Sequence, residues 1–518
     1  MELDPITQEF VDKNSKECSY ILISKTQILF YLLITIATLT LLFYRWDIFL
    51  FVVSSFFIFW YFSAAFCRGW AAIVATFGFG EKKVKLEEIN ALRDEDLPMY
   101  TILVPMYKEA GIANTIIKSM NALDYPREKL DIKLLLEADD EETQAVVNNT
   151  SLDDSYDVIV VPDFKPKTKP RACNFGLKRA KGKYCVIFDA EDQPDPDQLK
   201  KVIHVFKQAK NNVACVQAKL CYFNPKQNLL TRWFTIEYNT NFSLLLPGLQ
   251  TLNMPLPLGG TSNHFRTDVL EKIGGWDPFN VTEDCDLGIR LYKHNYKTQV
   301  VDSTTWEEAN SELWNWIRQR SRWVKGFFQT HLTHMRHPFK TFFELGPWGF
   351  MGFYLMVGAS SFMVISNIIF WIIGGIYLIL LSIGLSNGLQ ISDMVIGPQQ
   401  VFYDGQSLNG VPLKAWALLY FGENQDPTWT KLSMVFFSIS SVLLIANLFF
   451  VFVHVLACIK RKAWSLIPFA FTMPIYWLLI SIGGWKGFLQ LFTNPFYWEK
   501  TNHGLSHEDG DEGIILEK

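Results

Sequence analysis

Thr282-Glu283-Asp284 sets two carboxylates side by side, and further along the chain Gln319, Arg322 and Trp323 fall at a spacing that reads as one face of a helix. A carboxylate can take a proton from a hydroxyl, a guanidinium can hold a diphosphate, and an indole can carry a sugar ring lying flat on it. Each has a plainer reading. Asp284 follows Gly274-Gly275-Trp276 and precedes a helical-looking stretch, so it can simply cap that helix. The 319–323 face can dock on a bilayer surface.

Further acids lie upstream. Asp189, Glu191 and Asp192 follow the apolar run 185–188, where carboxylates can hold a hard divalent cation against a diphosphate; a solvated acidic turn before Pro194 is the alternative. Glu137 and Asp139 follow a second such run and can accept hydrogen bonds from a nucleobase or ribose. Tyr107, in a cluster with Glu109 after a third run, can stack on the base. Lys169 and Arg171 flank Pro170 and lead to Asn174, offering positive charge and a helix start to a phosphate, or else a basic surface turn.

Those runs imply the scaffold. From 97 to 337, short β-branched segments alternate with charged helical ones, the pattern of an α/β, Rossmann-like domain around a mostly parallel sheet. Strands are expected at 99–104, 132–136, 158–161, 184–188 and 213–218. The polar clusters follow the strand ends, where such sheets bind ligands. Their recurrence at equivalent places is what raises them above isolated loops.

The 518 residues, 49% hydrophobic and 15% aromatic, exceed one ordinary soluble domain. A net charge of -4 with interspersed signs excludes a nucleic-acid surface. The eight cysteines lack zinc or disulfide spacing, as expected of a reducing compartment. After an N-terminal cytosolic segment (1–27), uncharged runs at 28–44 and 48–67 make a transmembrane hairpin flanked by lysines and arginine, which places the catalytic domain in the cytosol. An interfacial linker (68–96) precedes the domain at 97–337, and an interfacial segment (338–349) follows it. Transmembrane and interfacial helices are then expected over 350–483, around a polar loop at 387–431. Within them 350–386 is one span or two, 433–458 is a span, and 464–482, holding Pro468 and Pro474, spans or lies in the interface. A tail from 484 to 518 carries Trp498-Glu499-Lys500-Thr501.

Taken together, Asp189-Ala190-Glu191, Thr282-Glu283-Asp284 and Gln319-x-x-Arg322-Trp323, between membrane spans, resemble the family 2 glycosyltransferases, and among them the membrane-integrated processive synthases of β-glycans, closest to cellulose-synthase-like bacterial exopolysaccharide synthases. The resemblance covers 97–337 and implies a GT-A fold. It implies Mg²⁺ or Mn²⁺ at Asp189 and Glu191, the latter replacing the usual second aspartate, with Asp192 as an alternative ligand. Asp284 would be the base, Arg322 the pyrophosphate clamp and Trp323 the floor under the acceptor, with Gly260, Thr261 and Ser262 in an acceptor-side loop. The expected partners are a UDP-sugar, a glycan acceptor, the bilayer and accessory export proteins. The expected product is a β-glucan passed across the cell membrane. A non-processive transferase loading a lipid phosphate, and a non-catalytic transporter or scaffold, are the alternatives. The chain ends before any cyclic-di-GMP-binding barrel, and the family's gating-loop sequence is missing, with Trp498–Thr501 as its candidate substitute.

Overall fold

The computed structural model describes residues 2–386, 427–502 and 504. Most of the polar loop expected at 387–431 and the acidic end of the tail therefore lie outside the described residues. The rest divides into two compact units.

The larger unit is built on one sheet of nine strands, β1 (Glu81–Lys82), β2 (Tyr100–Met106), β3 (Leu130–Glu137), β4 (Tyr156–Val161), β5 (Tyr184–Ile187), β6 (Gln193–Pro194), β7 (Val213–Tyr222), β8 (Asn263–Arg266) and β9 (Lys297–Glu307). They are ordered β1-β9-β7-β8-β5-β2-β3-β4, with β6 pairing β9. Alternate residues of each strand face opposite sides, and both sides are covered. Ile102, Val104 and Leu134 enter one core with Met120 and Val202, while Leu103, Leu135 and Ile187 enter another with Cys173 and Leu287. The charge inside this sheet is compensated: Lys133 stands 2.8 Å from both Asp131 and Asp157.

All five expected strands are present. The sheet is mixed rather than mostly parallel in one block, because β8 runs antiparallel between β5 and β7 and so joins two parallel blocks, β5-β2-β3-β4 and β7-β9-β1. The segment read as an interfacial linker is instead the end of the Trp46–Thr76 helix, then β1, which pairs β9 at the sheet edge, and a short helix at Leu86–Asn90. The N-terminal residues also belong to this unit. Asp4 caps the Pro5–Lys13 helix, Glu17 pairs with Lys293 at 2.7 Å, and the Ser19 N–H donates to Asp277 at 2.6 Å.

Five helices position the site: α1 (Lys169–Leu177), α2 (Leu229–Thr240), α3 (Glu283–Lys293), α4 (Leu313–His334) and α5 (Met473–Thr493). Pro474 sits in the first turn of α5, where no backbone donor is lost. The 464–482 stretch thus resolves into two short turns and the start of one helix. Glycines on α5 let it lie against α4, since a Cβ at Gly487 would stand 2.3 Å from the Ser321 carbonyl oxygen.

Among the described residues, four helices are long and apolar enough to cross a membrane: Lys25–Tyr44, Ile48–Thr76, Pro338–Ile372 and Met473–Thr493, with a shorter apolar segment at Leu444–Lys460. The third begins at Pro338, through the stretch expected to be interfacial, and bends at Gly346 (φ 66°) before Pro347. The smaller unit, Ser24–Phe66 with Phe362–Phe450, has its own core of Tyr61, Ala65, Phe370 and Ala446. There the Tyr61 hydroxyl donates to Asn447 at 2.9 Å.

Candidate active site

The strand ends and α4 enclose a cavity of about 270 Å³. One wall is the segment before α3. The Val281 N–H donates to Gln329 at 3.0 Å, Asn280 to Thr330 at 2.9 Å, and the Thr282 N–H to Asn280 at 3.0 Å. Gly326 completes this seam: a Cβ there would stand 2.3 Å from the Thr282 hydroxyl oxygen. Thr282, Glu283 and Asp284 are thereby held against the helix that carries Gln319, Arg322 and Trp323, and all six line the cavity. Asp284 does not cap α3, whose N-cap is Thr282; it lies in the first turn, accepts the Cys285 N–H at 2.7 Å with one carboxylate oxygen, and has the other beside Gly260, where a Cβ would be 3.6 Å away. Burial raises the pKa of Asp284 above the usual carboxylate range, and Lys169 and Arg322 pull it back. Burial and the neighbouring Asp284 raise Glu283 as well.

The opposite wall holds the upstream acids. Asp189 and Glu191 line the cavity. Asp192 lies behind them, fully buried, with one oxygen accepting the Asp189 N–H at 2.7 Å and the Thr261 hydroxyl, so that it braces the turn. Its other oxygen is buried without a partner. The Lys169 ammonium pairs with Asp189 and donates to the Gly260 carbonyl at 2.7 Å; burial alone would lower its pKa, but Asp189 and Glu283 hold it raised. Among the described residues no three His, Cys, Asp or Glu side chains gather into a closed metal cage. The hard carboxylates of Asp189, already paired with the Lys169 cation, and of Glu191 fit a divalent ion, while the orphaned oxygen of Asp192 is buried behind them.

Trp323 stacks against Tyr238, ring centroids 6.2 Å apart at 28°, and the Arg320 guanidinium lies 4.4 Å from its ring. Arg320 is itself fixed by Glu237 and by the Tyr476 hydroxyl of α5 at 2.9 Å. A strap formed by residues 494–502 runs along α4. Gln329 donates to the Pro495 carbonyl at 3.0 Å, Lys325 to that of Tyr497 at 2.8 Å, Ser321 to the Glu499 carboxylate at 2.8 Å, and Asn315 to the Asn502 carbonyl at 2.9 Å. Trp498, Lys500 and Thr501 line the cavity. The Arg322 guanidinium lies 4.5 Å from the Trp498 ring, and Lys500 pairs with Glu109 at 2.9 Å.

On the nucleotide side, Tyr107, Glu109 and Glu137 line the cavity. Burial pushes Glu137 up to about 7 against the pull of Arg171 and Lys167. The Tyr107 ring has Lys108, Lys167 and Lys500 at 5.3, 5.4 and 5.9 Å, so cations already border the ring read as a base-stacking face. Asp139 stays at the exposed rim, 2.5 Å from Lys167.

Three candidates are turned away from the cavity. Arg171 is fully buried between Asp4 (3.0 Å), Glu137 (3.4 Å) and the Pro162 carbonyl, so it braces Glu137 and has no path to a phosphate. Asn174 brackets the backbone of Trp276 (2.7 and 3.0 Å), and the Ser262 hydroxyl meets that of Thr305 at 2.6 Å inside the core. Gly260 and Thr261 do line the cavity. Residues the sequence reading passed over include Tyr238 and Glu307, the latter a cavity carboxyl whose pKa burial and then Asp192 raise well above normal. Val300, Val301, Thr304 and Thr305 are the β-branched signal that marks the strand ending in Glu307.

Residues 184–383 match the model described as glycosyl transferase family group 2. The match covers less than half of the chain. The mixed sheet with flanking helices is a GT-A-like α/β fold. A probable glycosyltransferase, YdaM, of Bacillus subtilis is 29% identical over 45% of this chain and 56% of its own. A probable glucomannan 4-beta-mannosyltransferase of Arabidopsis thaliana is 26% identical over 46% of this chain and 56% of its own. The chain spans about half the length of the curated relatives it matches. Among solved structures, a mannosyltransferase from Pyrobaculum calidifontis in complex with GDP-Man and Mn²⁺ aligns with a TM-score of 0.42 at 18% identity, over 74% of this chain and 98% of that one.

Proposed function

We propose that this chain is an inverting, processive glycosyltransferase of the membrane that moves a hexosyl group from a nucleoside diphosphate sugar to the end of a growing β-glycan and passes the product across the bilayer. The observation that carries this reading is the convergence of Asp284, Arg322, Trp323 and the Asp189–Glu191 pair on one cavity. Asp284 takes the proton from the acceptor hydroxyl, which attacks in line; its raised pKa makes it a stronger base than an exposed aspartate. Arg322 and Lys169 bind the diphosphate, and Trp323 and Tyr238 form the apolar floor for the acceptor ring. A divalent cation at Asp189 and Glu191, Mg²⁺ or Mn²⁺, neutralises charge on the departing diphosphate when bound. The four long apolar helices support placement in the cell membrane as a multi-pass protein, with the α/β domain on the cytosolic side.

UDP-glucose is the donor expected from the motif resemblance. The Arabidopsis relatives named as mannosyltransferases favour a second reading, a mannosyl donor. The test is incubation of the purified protein with labelled UDP-glucose, UDP-N-acetylglucosamine and GDP-mannose, each with Mg²⁺ or Mn²⁺, followed by product sizing. Long polymer from one donor supports the proposal and names the sugar. A single sugar on a lipid phosphate would replace it with non-processive transfer, and binding without any product would leave a transporter or scaffold.

A further inference from the structure

The strands that supply Leu220 and Glu307 to the catalytic cavity present neighbouring residues to a second one. Lys219 of β7 and Trp306 of β9 line a cavity of about 470 Å³ that shares no lining residue with the first. Its charge is one-sided: Lys83, Lys219, Lys226, Lys460, Arg461 and Lys462 surround it, against Glu81 and Asp302. Both carboxylates are committed to Lys219, Glu81 at 2.6 Å and Asp302 in direct contact. Lys460 is used in bonds to the carbonyls of Ala75 (3.1 Å) and Ser243 (2.7 Å). Lys83, Lys226 and Lys462 are solvent-exposed and form no ion pair among the described residues. The Trp306 indole N–H, a group that can only donate, is buried without a partner. Unneutralised cations around one concavity, together with an orphaned donor, suit an anion with several acceptor oxygens.

The depth of the cavity narrows the class of anion. Lys460, Arg461 and Lys462 directly end the apolar helix segment Leu444–Lys460, and Trp464, 60% exposed, follows two residues on. Basic residues and an exposed indole at the end of an apolar helix mark the level of lipid headgroups. We propose that this cavity binds a phosphate group, supplied by the headgroup of an anionic phospholipid. The proposal rests on reading Leu444–Lys460 as membrane-inserted and does not depend on the transferase reading.

The test uses the full chain in neutral detergent, titrated with dihexanoyl phosphatidylglycerol, dihexanoyl phosphatidylcholine or inorganic phosphate, with thermal midpoint and direct binding as readouts. Saturable, salt-sensitive binding of the glycerol lipid, absent for the choline lipid and weakened about tenfold or more in a Lys83→Gln, Lys226→Gln, Lys462→Gln variant, is the expected result. Equal, variant-sensitive saturation by inorganic phosphate alone would keep the phosphate site and reassign its source to a soluble anion. Equal binding of both lipids, no saturable binding of either anion, or binding unchanged by the substitutions would overturn the proposal. Should the triple variant fail to fold, Lys226→Gln alone, titrated at low and high salt, gives the same discrimination. Binding of UDP in the other cavity should be unchanged throughout, so loss of the phosphate site and loss of the transferase reading are separately visible.

Discussion

Thr282 and Trp498 face the same cavity from walls made in different ways. Thr282 sits in a buried seam where backbone donors, Asn280, Gln329 and a missing Cβ at Gly326 fix the chain against α4. Trp498 hangs from a strap with no helix or strand of its own, held by side chains that reach out from α4. The first wall cannot move without opening the core, whereas the second is tied by side-chain hydrogen bonds and by the ion pairs of Glu499 with Lys486 and of Lys500 with Glu109, and can leave when these break. On the proposed reading, the fixed wall carries the base, and the detachable one sets Trp498 against Arg322, the diphosphate-binding group.

Substitutions sharpen this contrast. The largest effect is expected in the fixed wall: Asp284→Asn should lower the rate of transfer by roughly 10²–10⁴-fold while donor binding, measured by calorimetry, is retained. Near-normal turnover would move the base elsewhere. Gly326→Val should come next, because its side chain must displace Thr282; a misplacement of about an ångström costs on the order of 10²-fold in activity, with a lowered thermal midpoint. In the detachable wall, Trp498→Ala should weaken donor or acceptor retention by only about 2–30-fold, the worth of one cation–π contact to Arg322, and leave the thermal midpoint within a few degrees of the parent. A collapse of the fold instead would make the strap structural. The smallest effect is a displacement of the pH profile. Asp284 must be unprotonated to act, and burial raises its pKa, so activity should fall with decreasing pH earlier than for an ordinary aspartate. An acid limb at the ordinary aspartate position would contradict the burial argument.

The fixed wall was the more legible of the two. Thr282-Glu283-Asp284 and Gln319-x-x-Arg322-Trp323 are contiguous motifs, and the five strands read correctly because their short apolar runs are buried on both faces, apart from the edge strand β4, whose Val160 is exposed. β9 was missed because Lys297, Gln299 and Asp302 interrupt its apolar pattern, although the strand lies between β7 and β1 and is largely buried. Lys169 and Arg171 were read together, yet two residues on a helix turn the side chain by about 200°, so one faces the cavity and the other the core. The strap was legible only as the Trp498–Thr501 candidate that the resemblance suggested, and its course along α4 was not, because its partners lie on a helix more than a hundred residues away.

The bonds along the strap also carry a count. Gln329, Lys325 and Ser321 step back along α4 by four residues, while Pro495, Tyr497 and Glu499 step forward by two. Four residues of α-helix rise about 6 Å, a rise that two residues of extended chain, about 6.6 Å, can match, and the count starts at a turn at 495–496 closed by the Tyr497 N–H on the Asn494 carbonyl at 3.3 Å. The helix is thus a ruler with a nearly matching scale, and the strap is read against it in steps of two. Inserting one residue ahead of Pro495 should put every strap carbonyl out of phase with its donor and point Trp498 away from Arg322, whereas inserting two should let the whole segment re-engage one notch along.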